Sequence, residues 1–395
     1  MQSTEAPVPE DASGWQDTEP FRCEAAGHTL DFYPSGGDRW EALIGLIDGA
    51  RHSLQLCFYI YAEDECGRQL RDALTRAARR GVAVALIVDS FGADARDGFF
   101  QPFVEAGGSF HRFMPRLTRR YLIRNHQKMV IADRQSAMIG GFNIEDSYFV
   151  PPQHDGWQDL GIILRGPATE RLAQWFDGLA AWTAHPRKQF RTIRRMVREW
   201  DSGSGPVRLL MGGPTRGLSS WARCVTEDLA RGRRLDMIMA YFSPVGRLFH
   251  CIERIAARGQ ARLVFPARSD NGATIGASRS LYEKLLRCGA RIWEFRPARL
   301  HTKLIVLDDA VYIGSANFDV RSLYINLEMM VRIEDAALAA RMREFVAAHV
   351  PASLEITPEL HRRRRTIFNR IRWTLSWYLV TVVDYTVSRK LNLGL

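Results

Sequence analysis

The chain has 395 residues, enough for two domains that each build a core of their own. It carries 54 Lys and Arg against 44 Asp and Glu, for a formal net charge of +10, and its 46% hydrophobic content is ordinary for a soluble protein. Six scattered cysteines (Cys23, Cys57, Cys66, Cys224, Cys251 and Cys288) have no framework spacing, which excludes a disulfide scaffold and suits buried thiols in a reducing cytoplasm.

Residues 1–25 are rich in Pro, Glu, Asp, Ser and Gly and contain no apolar h-region. They predict a disordered leader, with neither a signal peptide nor a membrane span encoded there. Apolar runs at residues 53–61, 82–89 and 106–113 predict strands, with helices between them. Next comes His126-Gln127-Lys128, a four-residue apolar run, Asp133, and then Gly140-Gly141-Phe142-Asn143. The run suits a strand buried on both faces, and a strand's period of two puts His126 and Lys128 on one face and Gln127 on the other. The glycines let the chain turn so that Asn143 returns to the same volume. Asp159 follows downstream.

Residues 186–206 predict a basic linker, with Arg187, Lys188, Arg191, Arg194, Arg195 and Arg198 ahead of the flexible 201–205 stretch. The pattern then repeats. Residues 235–242, 261–266 and 288–295 parallel the three earlier strands, and His301-Thr302-Lys303, Asp308, Gly314-Ser315-Ala316-Asn317 and Glu328 parallel the first constellation. The chain has 5 lysines against 49 arginines, so two lysines at equivalent positions carry information beyond composition. One chance match to H-x-K-x4-D has a probability on the order of one in a hundred, and two matches far less. Duplication of an α/β unit is the simplest origin, with helices on both faces of each sheet.

Residues 353–395 close the chain. His361 and four arginines lead into a largely apolar stretch in which Ile367, Ile371, Leu375, Tyr378, Val382 and Tyr385 recur at helical spacing, flanked by Phe368, Trp373 and Trp377. The uninterrupted part is shorter than the roughly 20 residues needed to cross a bilayer. A helix lying in an anionic membrane interface is expected, with packing on the protein body as the alternative.

One copy of the motif supplies half of a site. Two copies facing each other give two imidazoles, two ammoniums and two carboxamides around one anion, which fits a phosphodiester. Lys128, Lys303, Asn143 and Asn317 can hold its oxygens without a metal. One histidine can attack phosphorus while the other protonates the leaving alkoxide, so the two imidazoles are expected to start in opposite protonation states. Asp159, after His126, and Glu328, after His301, are the candidates to orient them. Asp133 and Asp308 are grouped with the catalytic residues of the motif, but a structural cap at the strand-to-turn transition is the favoured reading of their role. No metal or other cofactor is expected, because the lysines repel a divalent cation and no H-x-x-x-H or C-x-x-C cluster exists.

These residues resemble the phospholipase D superfamily, whose duplicated H-x-K-x4-D motif and trailing G-[GS]-x-N stand in both copies. Within it, residues 124–128, 140–148 and 314–328 are similar to bacterial cardiolipin synthases of the shorter type, over roughly residues 28 to 350. The resemblance implies two duplicated phospholipase D-like α-β-α sandwich domains, residues 26–185 and 207–352, related by a pseudo-twofold axis with the active site at their interface. It implies His126 as nucleophile and His301 as general acid. It also implies transfer of a phosphatidyl group from one phosphatidylglycerol to the hydroxyl of another, with phosphatidylethanolamine as a further possible lipid. The expected setting is peripheral, on the cytoplasmic face of the bacterial inner membrane. Hydrolysis of phospholipid or nucleic acid is the alternative chemistry, a silent membrane-binding protein the alternative class, and no nucleic-acid partner is expected.

Overall fold

A computed structural model describes residues 15–114, 123–186 and 189–383. The first half contains β1 (Phe21–Ala25), β2 (His28–Tyr33), α1 (Gly36–Gly49), β3 (Ser53–Phe58), α2 (Glu65–Arg79), β4 (Ala83–Asp89), α3 (Gln101–Glu105) and β5 (Ser109–Phe113). It continues through β6 (Met129–Ala132), β7 (Ser136–Gly140), β8 (Trp157–Gln158), β9 (Gly161–Arg165), α4 (Ala168–Ala184) and α5 (Phe190–Glu199). The second half contains β10 (Val207–Gly212), α6 (Ser220–Arg231), β11 (Leu235–Met239), α7 (Gly246–Ala256), β12 (Ala261–Pro266), α8 (Gly272–Arg287), β13 (Arg291–Phe295) and β14 (Arg299–Leu300). Then follow β15 (Lys303–Leu307), β16 (Ala310–Gly314), α9 (Val320–Tyr324), β17 (Glu328–Glu334), α10 (Ala336–Ala348), β18 (Ser353–Glu355), α11 (Pro358–Arg364) and α12 (Ile367–Tyr378).

Two eight-stranded sheets result, ordered β1-β2-β9-β7-β6-β3-β4-β5 and β10-β17-β16-β15-β11-β12-β13-β18. The duplication is visible strand by strand: β9, β7, β6, β3, β4 and β5 correspond to β17, β16, β15, β11, β12 and β13. In each half three consecutive strands run parallel, β3-β4-β5 and β11-β12-β13, and the motif strand pairs antiparallel with the first of them.

Alternation along the strands assigns side chains to layers. Leu54, Leu56 and Phe58 of β3 join α1 and α2 in an outer core of the first half, while Ile305 and Leu307 of β15 join α6, α7 and α8 in that of the second. The opposite faces meet in a third core, shared by both halves, where Met129 and Ile131 pack in one cluster with Leu304, Val306 and residues of α4 and α10. Helix α4 contacts β6, β7 and β9 and also β10 of the other sheet, and α10 contacts β15 and β16 and also β1. The two lobes therefore face each other across two helices and a common apolar layer.

Two expectations about the connecting segments are corrected, and the tail adopts the alternative of packing on the body. Disorder does not extend to residue 25: Phe21 stacks on Phe32 at 4.6 Å within the β1-β2 hairpin, and Trp15 packs on Phe295 and His349 of the second lobe at 5.0 and 5.1 Å. Residues 1–14 lie outside the described residues. The basic linker holds α5, whose Phe190, Ile193 and Val197 are buried while Arg191, Arg195 and Arg198 are exposed. Arg187 and Lys188 lie outside the described residues. The tail does pack on the body, since Trp373 and Ser376 of α12 are buried against α8. Ile367, Ile371, Leu375 and Tyr378 nevertheless point outward. Tyr385 lies outside the described residues.

Candidate active site

Backbone pairing between the lobes builds the centre. The segment leading into the first motif strand lies beside the start of β17: Asn125 bridges Leu327 in parallel, and His126 N–H donates to the Leu327 carbonyl at 2.9 Å. The second motif is held the same way, with β14 parallel to β8 and His301 N–H donating to the Gln158 carbonyl at 2.7 Å. The residue after Leu327 is Glu328, and the residue after Gln158 is Asp159. Each histidine is thus placed beside the acid of the other lobe.

The acid pairing expected from chain order is therefore exchanged. His126 Nδ1 lies 3.0 Å from Glu328 Oε1, and His301 Nδ1 lies 2.8 Å from Asp159 Oδ2. Both carboxylates are fully buried. Glu328 accepts the hydroxyls of Ser315 and Ser322 at 2.5 and 2.9 Å, and Asp159 accepts the Leu160 N–H at 2.7 Å. A carboxylate on Nδ1 fixes the tautomer with its proton there and leaves the Nε2 lone pair for chemistry.

Lys128 and Lys303 are also buried, and each ammonium donates to the carbonyl of the histidine two residues earlier, at 2.7 Å for Lys128. Burial brings Lys128 down to about 7, with the charge of Lys303 adding to the effect and Glu328 and Asp159 opposing it. Burial likewise brings Lys303 down to about 8 against the pull of Asp159 and Glu328. Burial, then Lys303, brings His301 down to about 4 despite Asp159. His126 is lowered by burial and by both lysines, against Glu328. Burial works against ionising Asp159, but the His301 hydrogen bond and the nearby cations outweigh it and hold its carboxyl below the usual range. Each histidine feels the lysine of the opposite lobe, so the four groups share one small volume.

Burial thus pushes both imidazoles toward the neutral form in the free protein, so the opposite protonation states that the chemistry needs depend on the bound substrate. A bound phosphodiester carries the negative charge that favours a proton on one of them.

Asn143 accepts the Ile60 N–H at 3.1 Å and donates to the Tyr148 hydroxyl at 3.1 Å. The Tyr148 ring stands edge-on to His301 at 5.3 Å, so this amide is tied to the wall of the centre. Asn317 is buried, and its Oδ1 has no hydrogen-bond partner among the described residues. Gln127 faces the interlobe core, donating to the Glu328 carbonyl at 3.2 Å and accepting from Trp175 at 3.0 Å. Tyr59 packs on His126 at 4.9 Å, and Trp157 on His301 at 5.3 Å. These rings cover part of each imidazole, and the apolar surface they add strengthens the charge interactions of the centre.

The structure does not bring Asp133 and Asp308 to this centre. They end the motif strands roughly 17 Å further along, by the rise of an extended strand. The Asp133 carboxylate accepts the N–H groups of Arg51, His52 and Ser53 at 3.0, 2.7 and 2.9 Å, and Asp308 accepts those of Arg233 and Arg234. Both adopt positive φ, 52° and 49°, which aspartate tolerates better than most residues. They tie each motif strand to the start of its neighbour, β3 or β11, which is the structural role favoured from the sequence and corrects their grouping with the catalytic residues.

Sequence reasoning missed several supporting residues. Arg39 is fully buried and donates to the carbonyls of Pro34, Asp159 and Tyr148, fixing the backbone that carries the His301 partner. Gly141 is needed because a Cβ there would fall 2.7 Å from Asp159 Oδ2 and 3.0 Å from Lys303 Cδ. Its counterpart Ser315 hydrogen-bonds Glu328, so the G-[GS] position was a readable signal. Arg39 and Ser322 had none.

Two facing α/β lobes, each giving a histidine and a lysine to one interlobe centre, define an enzyme of the phospholipase D class. A family profile described as cardiolipin synthase, PLD-like domain, matches residues 43–180 and 227–349, and the chain belongs to that family of phosphatidyltransferases. It is 28% identical over 367 residues to the major cardiolipin synthase of Bacillus subtilis strain 168, covering 90% of this chain and 76% of that protein. Cardiolipin synthase B of Escherichia coli strain K12 is 28% identical over 364 residues, covering 90% and 88%. The fold is similar to the crystal structure of phosphatidylserine synthase from Haemophilus influenzae Rd KW20, with a TM-score of 0.71 at 15% identity over 93% of this chain and 96% of that one.

Proposed function

We propose that the chain makes cardiolipin from two phosphatidylglycerols, with residues 26–185 and 207–352 acting as the two halves of one catalytic unit. The observation that carries this reading is the pair of imidazoles with anchored Nδ1 atoms beside two buried lysines. Once the phosphate of the first lipid sits among Lys128, Lys303, Asn143 and Asn317, His126 Nε2 attacks phosphorus. The P–O bond to glycerol breaks, and His301, which takes up a proton from solvent as the anionic phosphodiester binds, gives that proton to the leaving alkoxide. The hydroxyl of a second phosphatidylglycerol then loses its proton to His301 and attacks the phosphohistidine, breaking P–N and releasing cardiolipin. One phosphodiester replaces another, so the exchange has little net driving force and depends on keeping water away. The aromatic wall supports that requirement. Phosphatidylethanolamine is a further candidate lipid, and the proposed setting is peripheral, on the cytoplasmic face of the bacterial inner membrane.

Purified protein given phosphatidylglycerol vesicles and a chelator is expected to release glycerol and form cardiolipin. Phosphatidic acid as sole product would make the protein a hydrolase, and turnover of DNA alone a nuclease. His126→Ala is expected to abolish lipid turnover with the fold retained; undiminished turnover would remove it from the mechanism.

A further inference from the structure

We infer that the outward face of α12 is a docking surface for an anionic lipid bilayer, held rigidly on the second lobe. The inference rests on the reading of the chain as a peripheral enzyme of membrane lipids and assigns the surface that reading requires. Helix α12 lies outside the residues matched by the family profile.

The helix is two-sided. Trp373 and Ser376 are buried, and Gly276 of α8 allows close approach, since a Cβ there would fall 2.5 Å from Ser376 Oγ. The ring of Trp373 also stacks on His361 at 5.5 Å, while Arg364 and Arg365 pair with Glu294 and Glu283 at 3.1 and 3.0 Å. On the other side Ile367, Phe368, Ile371, Leu375, Tyr378 and the following Leu379 are between 50% and 81% exposed. At about 100° per residue these six fall within an arc of about 120°, with Arg372 just past one edge and Arg370 about 60° before the other. Exposed large apolar side chains in one unbroken stripe are not explained by packing, because α12 already spends its inward face on α8.

Charge and length select the occupant. Residues 366–383 contain no Asp or Glu, Arg362, Arg363, Arg370 and Arg372 are exposed, and the whole chain is positive. A second copy seated on the same face would bring these arginines against their own equivalents. Anionic headgroups satisfy them, while the stripe enters the acyl boundary and the arginine stems reach back to the headgroups. Among the described residues no helix is long and apolar enough to cross a membrane, so the helix lies on the surface. Its position is also informative. Arg365 meets Glu283 and Ser376 meets Gly276, so α12 advances toward the start of α8, which follows the end of β12. The motif lysine Lys303 pairs with Met239 at that same end of the second sheet. A bilayer under the last turn of α12 therefore borders the catalytic end of the lobe.

The test uses the full chain and co-sedimentation with vesicles of phosphatidylcholine alone or mixed with phosphatidylglycerol. The parent is expected to bind the anionic vesicles, and Ile371→Glu/Leu375→Glu to bind them roughly tenfold or more weakly while turning over dispersed short-chain phosphatidylglycerol like the parent. His126→Ala is expected to bind like the parent with no turnover, which separates failure of docking from failure of the catalytic reading. Undiminished binding by the double variant, or equal binding to uncharged vesicles, overturns the inference. So does a parent dimer that the double variant splits, with no vesicle binding by either.

Discussion

At the scale of single residues, the exchanged acids give the most direct handle on the chemistry. Glu328→Gln removes the carboxylate that raises the His126 pKa, so the titration of His126 should move further down while that of His301 stays. Turnover should fall about 10²- to 10⁴-fold, as for loss of an orienting partner in other acid–base sites. An NMR titration of the two imidazoles checks it, and movement of His301 in place of His126 would refute the crossing. The lysines set the alkaline side. Their charged forms are lost as pH rises past about 7 for Lys128 and about 8 for Lys303, so kcat/KM for phosphatidylglycerol should decline over that range. Bound phosphate favours the ammonium, so kcat should hold to higher pH. A pH profile that stays flat from 7 to 9 would contradict this. The two histidines and two lysines of the centre were legible in the sequence, because duplicated spacing and scarce lysines single them out. Their partners were only half legible: Asp159 and Glu328 stand out as acids, but which imidazole each serves depends on backbone adjacency between lobes, which spacing within a lobe does not encode.

At the scale of elements, Asp133 separates a strand anchor from a catalyst. Its carboxylate gathers three backbone N–H groups at the start of β3. Asp133→Ala should cost about 2 kcal/mol of stability, the range for hydrogen bonds to a charged acceptor. Well below the melting temperature its kcat should stay near the parental value, and a loss of activity without a fall in Tm would return it to the mechanism. The motif strands were readable because apolar runs bounded by His and Asp have few other solutions. Helix α5 was hidden because its arginine run masks the apolar spacing of Phe190, Ile193 and Val197, and β1 because the polar leader before it dominates the composition of the window. For α12 the stripe was legible, but the inward face was not, since Trp373 and Ser376 meet a glycine on a helix nearly a hundred residues earlier.

At the scale of the whole molecule, the shared interlobe core makes stability and catalysis hard to separate, and acid exposes the link. His349, which caps the end of α10, is fully buried and packed against Trp15 and Phe295, and burial brings it down to about 4, as it does His301. An unfolded chain takes up these protons near pH 6.5, whereas the folded chain resists until about pH 4. Stability should therefore fall as pH drops through that window, and His349→Leu should flatten part of the slope in denaturant melts from pH 7 to 4; an unchanged slope would assign the acid lability elsewhere. The overall architecture was legible because the same strand order is written twice, while the straps that bind the lobes, Trp15 and β1 among them, are written once. The crossed pairing also says something about ancestry. Two unjoined copies of such a half would each have to lend an acid to the other before either imidazole was held. Once merged, the sides were free to age separately. Asp159 nestles against bare Gly141, whereas the longer Glu328 leans on the hydroxyl of Ser315. Each shape now answers only to the neighbour it grew up with, and trading one for the other would leave both imidazoles badly held.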